Sequence, residues 1–134
     1  MSNRCIELHD SEIAEISPAA DGKMIVRFSS AYIHESHKVP GIDGGKGFVQ
    51  EADLIVTEGK VAGNLPRFPT DISDGSIVLN RQRVDNIIPI PFDFIGEFSI
   101  GIVFVSGDNV QIRGTGAKLV LHGEPVYVEE FPFG

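Results

Sequence analysis

Residues 96–131 read Gly96-Glu97-Phe98-Ser99-Ile100-Gly101-Ile102-Val103-Phe104-Val105, Ser106-Gly107-Asp108-Asn109, Val110-Gln111-Ile112-Arg113, Gly114-Thr115-Gly116, Ala117-Lys118-Leu119-Val120-Leu121, His122-Gly123-Glu124 and Pro125-Val126-Tyr127-Val128-Glu129-Glu130-Phe131. Apolar segments alternate with glycine-bearing turns, the pattern of an antiparallel β-meander. Side chains alternate faces along a strand, so Phe98, Ile100, Ile102 and Phe104 share one face and are expected to line a core. Gly101 in mid-strand marks a bulge or a close backbone approach.

The rest of the chain repeats this rhythm. Residues 4–8 alternate, and His9-Asp10-Ser11 reads as a turn. Residues 12–17 form a strand or irregular segment stopped by Ser17-Pro18. Met24, Val26 and Phe28 mark a strand that continues through Tyr32 and Ile33. Residues 34–47, with Pro40, Gly41, Gly44, Gly45 and Gly47, form the longest irregular stretch, and a loop of that length is functional or mobile. Residues 48–57 resume a strand and Glu58-Gly59-Lys60 turns. Pro66 and Pro69 limit residues 61–69 to an edge. Asp74-Gly75 between apolar flanks signals a hairpin, and the charged run 81–85 is too short for a helix. In residues 87–92, Ile88, Ile90 and Phe92 share one face and Ile87, Pro89 and Pro91 the other. Prolines cannot donate to a ladder, so this segment belongs at an edge or in a crossover. The expected fold is all-β: a single domain over residues 1–134, an antiparallel sandwich or flattened barrel of about eight to ten short strands with a C-terminal meander.

Composition narrows the function. The 134 residues carry a formal net charge of -8, Lys+Arg 11 against Asp+Glu 19. That balance argues against nucleic acid, whose phosphates need clustered cations. Cys5 is the only cysteine, so no intrachain disulfide forms, in keeping with a reducing compartment. The first residues lack the apolar run of a secretory signal, and no segment approaches the ~20 apolar residues of a membrane helix. A cytoplasmic protein without membrane contact is the expectation.

His9-Asp10-Ser11 contains the members of a hydrolase triad, but consecutive residues cannot make that relay. His34 and His37, with His122, are the candidate ligand or metal residues, and Asp43 or Glu51 could join them through tertiary structure. Their spacing is not that of a helical zinc motif. The glycines around Lys46 lack the phosphate-loop spacing. Cys5 has no activating neighbour apart from Arg4. Asp93, Glu97, Glu129 and Glu130 are candidates for acid–base pairing or for a charged sheet rim. Phe92, Phe94, Phe98, Phe131 and Phe133 read as core aromatics. No catalytic residue and no cofactor is assigned.

Two stretches carry a resemblance. Leu8-His9-Asp10-Ser11-Glu12-Ile13, with Ile16, and residues 123–131 ending Val-Glu-Glu-Phe look like small all-β bacterial proteins, some of which resemble immunity proteins of polymorphic toxin systems. The resemblance implies a cytoplasmic protein that binds another protein. The leading expectation is therefore a non-enzymatic protein-binding module with an acidic, partly apolar surface. Its contact would include Ile87, Pro89 and Pro91, with another protein or a second copy of the chain in a homodimer, unless residues 131–133 fold back over that edge. The alternative is a small-molecule-binding barrel, or an enzyme built on one, with the 34–47 loop at its mouth.

Overall fold

The computed structural model describes residues 3–40 and 42–130. The chain forms β1 (Asn3–Pro18), β2 (Met24–Ser36), β3 (Lys46–Thr57), β4 (Lys60–Gly63), β5 (Thr70–Leu79), β6 (Gln82–Asp85), β7 (Ile87–Ile90), β8 (Asp93–Phe104) and β9 (Asn109–Glu130). All pairings are antiparallel. Strands β1, β2, β3, β9, β8 and β5 follow one another, and β5 returns to β1 through Glu12 opposite Asp71 and Ile13 opposite Thr70. That short closure makes a flattened barrel. β6 and β7 line the two sides of the seam, and Asn86 carries the chain from one to the other. Its N–H donates to the Gly75 carbonyl, and its own carbonyl accepts from Leu8 N–H at 2.7 Å.

The inward face of β8 is the one the alternation predicts. Phe98, Ile100, Ile102 and Phe104 are all buried, with Phe104 1% exposed. They meet Phe28, Leu54, Ile72 and Ile77 from other strands in one core. Burying each such side chain contributes about 1.5–3 kcal/mol. A ring of this strand number is narrower than an eight-stranded barrel that can hold one small ligand, and these side chains fill it.

Four expected reversals do not occur. β9 runs through both Gly114-Thr115-Gly116 and His122-Gly123-Glu124, so the meander reduces to one hairpin, β8 with β9. A Cβ at Gly116 would stand 2.8 Å from the Phe94 carbonyl oxygen; that glycine permits close approach and does not turn the chain. Gly123, at φ +70, lies in a bulge: Glu51 pairs with His122 but Val49 with Val126. β5 likewise runs through Asp74-Gly75. There Gly75 makes room for Leu8, whose Cδ1 would lie 2.9 Å from an added Cβ.

β1 also continues through His9-Asp10-Ser11, as a wide bulge. Glu7 pairs with Tyr32 and Glu12 with Ser30, so residues 8–11 stand opposite Ala31 alone. Ser11 Oγ donates to the Glu7 carbonyl at 2.8 Å and accepts from Tyr32 N–H at 2.9 Å. His9 N–H donates to Asn86 Oδ1 at 2.8 Å. The irregular stretch expected over 34–47 is shorter at both ends, because β2 reaches Ser36 and β3 begins at Lys46. Residues 82–85 form a strand, β6, after the left-handed pair Asn80 and Arg81. The segment at 87–90 is an edge strand, as its prolines require.

Candidate functional site

Past the seam, β7, β1, β2, β3 and the last third of β9 form a five-strand sheet whose two edges have no further strand partner among the described residues. Pairing fixes which residues share its outward face. One row is Ile87, Glu7, Tyr32, Val49 and Val126; the next is Pro89, Cys5, His34, Gly47 and Glu129. The register thus puts His34 on the same face as Ile87 and Pro89.

Several titratable groups in these rows are buried. Burial, with the Glu7 charge, pushes the Cys5 thiol up to about 12; a thiol held protonated is a poor nucleophile. Tyr32 is raised too, first by burial and then by its bond to Glu129, whose Oε1 accepts from the phenol at 2.7 Å. Gly47 leaves room for that phenol, because a Cβ there would collide with it. His34 Nδ1 lies 3.7 Å from Glu7 Oε1. In the bulge, His9 Nε2 stands 3.0 Å from Asp10 Oδ2.

A second cluster lies further along the same outward surface. Asp53 on β3 is buried and receives Arg27 from β2, Nε to Oδ1 at 2.9 Å and Nη2 to Oδ2 at 3.3 Å. His122 Nε2 from β9 lies 2.9 Å from Asp53 Oδ2. The Arg27 hydrogen bonds hold the Asp53 carboxyl below its usual range, with help from His122 and against the opposing effect of burial. These residues, with Ser29 and Glu51, line a surface groove of about 560 Å³. An Asp–His pair orients an imidazole, but a relay also needs a nucleophile facing it. Ser29 Oγ instead donates to Glu12 Oε1 at 2.7 Å.

The structure does not gather His34, His37 and His122 into one site. His34 pairs with Gly47 and His122 with Glu51, four strand positions apart or about 13 Å. His37 is exposed beyond the end of β2. Asp43 accepts Val39 N–H within its own loop, and Glu51 stays beside His122 on the groove. The carboxylates at 93, 97, 129 and 130 are not paired with one another: Asp93 faces Lys118, Glu97 lies 3.8 Å from Arg81, Glu129 holds Tyr32 and Glu130 faces Lys46. Phe92 stacks on Phe94 and meets Phe98 at a tilt; Phe131 and Phe133, and the cover expected from residues 131–133, lie outside the described residues. Sequence reasoning missed Glu7, Arg27 and Asp53, since only the strand register reveals their partners.

The two edges of the open sheet differ. At β7, Ile88 is buried while Ile87 is half-buried and Pro89 and Pro91 are exposed, the division of faces that the alternation gives. At β9, Leu119 N–H donates to the Phe92 carbonyl. Beyond it no strand among the described residues pairs with the side of β9 that faces away from β3. Val126, Tyr127 and Val128 on that stretch are 61%, 54% and 49% exposed. No family model, curated protein or solved structure matches this chain. Among the described residues, no helix is long and apolar enough to cross a membrane.

Proposed function

We propose that the chain is a non-enzymatic protein-binding module whose main contact is the open edge of β9 between residues 120 and 130. The observation that carries this reading is a strand edge that has no partner among the described residues and bears Val126, Tyr127 and Val128 in solvent. Such an edge offers a row of backbone donors and acceptors to an incoming strand, with pockets between side chains for selectivity. Glu124, Glu129 and Glu130 flank the apolar residues, and the whole chain carries charge -8. Paired with itself, this edge would bring like charges together, so a basic extended segment of another protein suits it better than a homodimer. Ile87, Pro89 and Pro91 extend the contact at the opposite edge of the sheet. A cytoplasmic protein of the immunity kind, acting by covering its partner, fits this reading and the resemblance at the chain ends.

The second reading, a small-molecule site or an enzyme, has the groove over Asp53 in its favour. The filled barrel and the engaged hydroxyl of Ser29 weigh against it.

The deciding experiment compares the native chain with a Val126→Lys, Val128→Lys double variant in affinity capture from an extract of the source cell, with light scattering of each alone. The expected result is a co-purifying protein lost with the variant, while circular dichroism stays unchanged. Equal capture by both proteins rejects the β9 edge. Dimers of the native chain alone, dispersed by the variant, reject the basic partner in favour of self-association.

A further inference from the structure

We propose that a hollow beside the β9 edge is a specificity pocket for the guanidinium group of an arginine carried by the incoming strand. The pocket deepens the β9-edge reading and rests on it for the source of that arginine. The hollow forms where the sheet is irregular on both sides of β3. The register of β2 against β3 slips between Phe28 and Ala31, and that of β3 against β9 slips between Val49 and Glu51. Gln50 sits in the second slip, with Val49 and Glu51 beside it and His122, Glu124 and Val126 on β9. The space they line is about 240 Å³. That is below the roughly 300–1,000 Å³ of pockets for whole small molecules, and it suits one long side chain.

Gln50 supplies the observation that points to a ligand. It is 8% exposed, and its Nε2 donates to the Gly123 carbonyl at 2.8 Å. A carbonyl only accepts, so this bond fixes the amide with its nitrogen towards Gly123 and its oxygen away. Among the described residues Gln50 Oε1 is buried and has no hydrogen-bond partner. A buried acceptor without a donor is costly. The group missing from the hollow is therefore a donor.

The rim selects the kind of donor. Glu51 and Glu124 are both exposed on it, so the local potential favours a cation. Arg27, in the adjoining groove, is committed to Asp53. Val49 and Val126 offer apolar walls to the methylene stem of a long basic side chain. A guanidinium has five donors in one plane and no acceptor. It can donate to Gln50 Oε1 and a rim carboxylate at once and lay its face on the His122 ring, which an ammonium matches less well. The hollow lies one strand in from the edge, about 4.8 Å, and arginine is long enough to cross β9 from a strand paired on its outer side. The competing arrangement is a water molecule on Gln50 Oε1.

N-acetyl-arginine methylamide, titrated into isotope-labelled native chain and followed by NMR, tests the pocket apart from the edge, because the probe carries no strand. The expected result is a saturable shift of the Gln50 side-chain amide and of the Gly123 and Glu124 backbone amides. The citrulline analogue, of the same shape but uncharged, should bind about tenfold or more weakly, the scale of a charge-assisted hydrogen bond. A Glu51→Gln, Glu124→Gln double variant should weaken the arginine probe by about threefold or more, and Gln50→Met by about tenfold. Glu97→Gln, on β8, should leave it unchanged. No saturable shift at Gln50 with the probe at tens of millimolar, equal binding of the citrulline analogue, or unchanged affinity in the double variant each overturns the pocket. The two rim carboxylates are exposed, so the double variant keeps the fold even where Gln50→Met does not, and circular dichroism verifies it. Failure of the pocket leaves the capture experiment with Val126→Lys and Val128→Lys to decide the edge by itself. A probe that binds as expected, with capture indifferent to that variant, overturns the incoming strand as the source of the arginine.

Discussion

The β7 edge and the β9 edge end the same sheet, yet they meet solvent in opposite ways. β7 is short, carries Pro89, points Ile88 into the core and ends against Pro91. Prolines and short length are the usual protection of an exposed edge. Among the described residues no strand pairs with the outer side of β9 beyond Leu119; Pro125 and three glutamates guard that stretch, and Val126, Tyr127 and Val128 are exposed on it. One edge is closed to strand addition and the other is restricted by charge. A charge guard discriminates among partners, because it repels an acidic strand and attracts a basic one.

The largest effect should fall at β7. Ile88→Ala removes a side chain that is 0% exposed and should destabilise the chain by about 2–5 kcal/mol. Val128→Ala at the β9 edge should stay within about 0.5 kcal/mol. Urea unfolding of the two variants measures the contrast. A cost above about 1 kcal/mol for Val128→Ala would mean that edge is already covered, and the comparison would fail.

Next in size is the clip between β7 and the β1 bulge. Asn86 sits at φ 64, a conformation glycine also adopts without strain. Asn86→Gly therefore isolates the side-chain bond to His9 N–H and should cost about 0.5–1.5 kcal/mol. No measurable change would show that the bulge is held by its other bonds alone.

Cys5 sharpens the comparison without altering stability. It pairs with Pro89 beneath the β7 edge, is 1% exposed, and its thiol is pushed up to about 12. A maleimide reagent near neutral pH should leave it unmodified in the native state and label it once urea unfolds the chain. Rapid native labelling would show that β7 opens readily.

The smallest effect is pH dependence on the β9 side. Arg27, Asp53 and His122 tie β2, β3 and β9 together. Asp53 has a depressed folded pKa. Its contribution is thus present above the unfolded value of about 3.9 and is lost as pH falls through the folded value. Native protein should lose stability on acidification below about pH 4, and Asp53→Asn should flatten that part of the profile in chemical denaturation. An identical acid limb in the variant removes Asp53 as its source.

The faces of β7 and β8 were legible in the sequence because alternation reports which side chains share a surface. The path of the chain was harder to read. Glycine signals conformational freedom or close approach, and neither requires a reversal. Gly116 and Gly75 serve contacts with Phe94 and Leu8 that do not exist until distant strands pair. The candidate sites were hidden for a related reason. Asp53 meets Arg27 and His122 only through the register of three strands. The bulge at residues 8–11 likewise exists only through the pairing of β1 with β2.

The length of β9 also sets the order in which the molecule can assemble. Its first half pairs with β8 and β4 and its second half with β3, so the barrel cannot close before β9 is in place. During synthesis, β3 is made long before its partner and must wait with one edge unsatisfied. Contacts this distant in sequence fold on the millisecond-to-second scale, and an exposed edge during that interval is prone to misassociation. The docking of β9 is what joins β3 to β8 and β4.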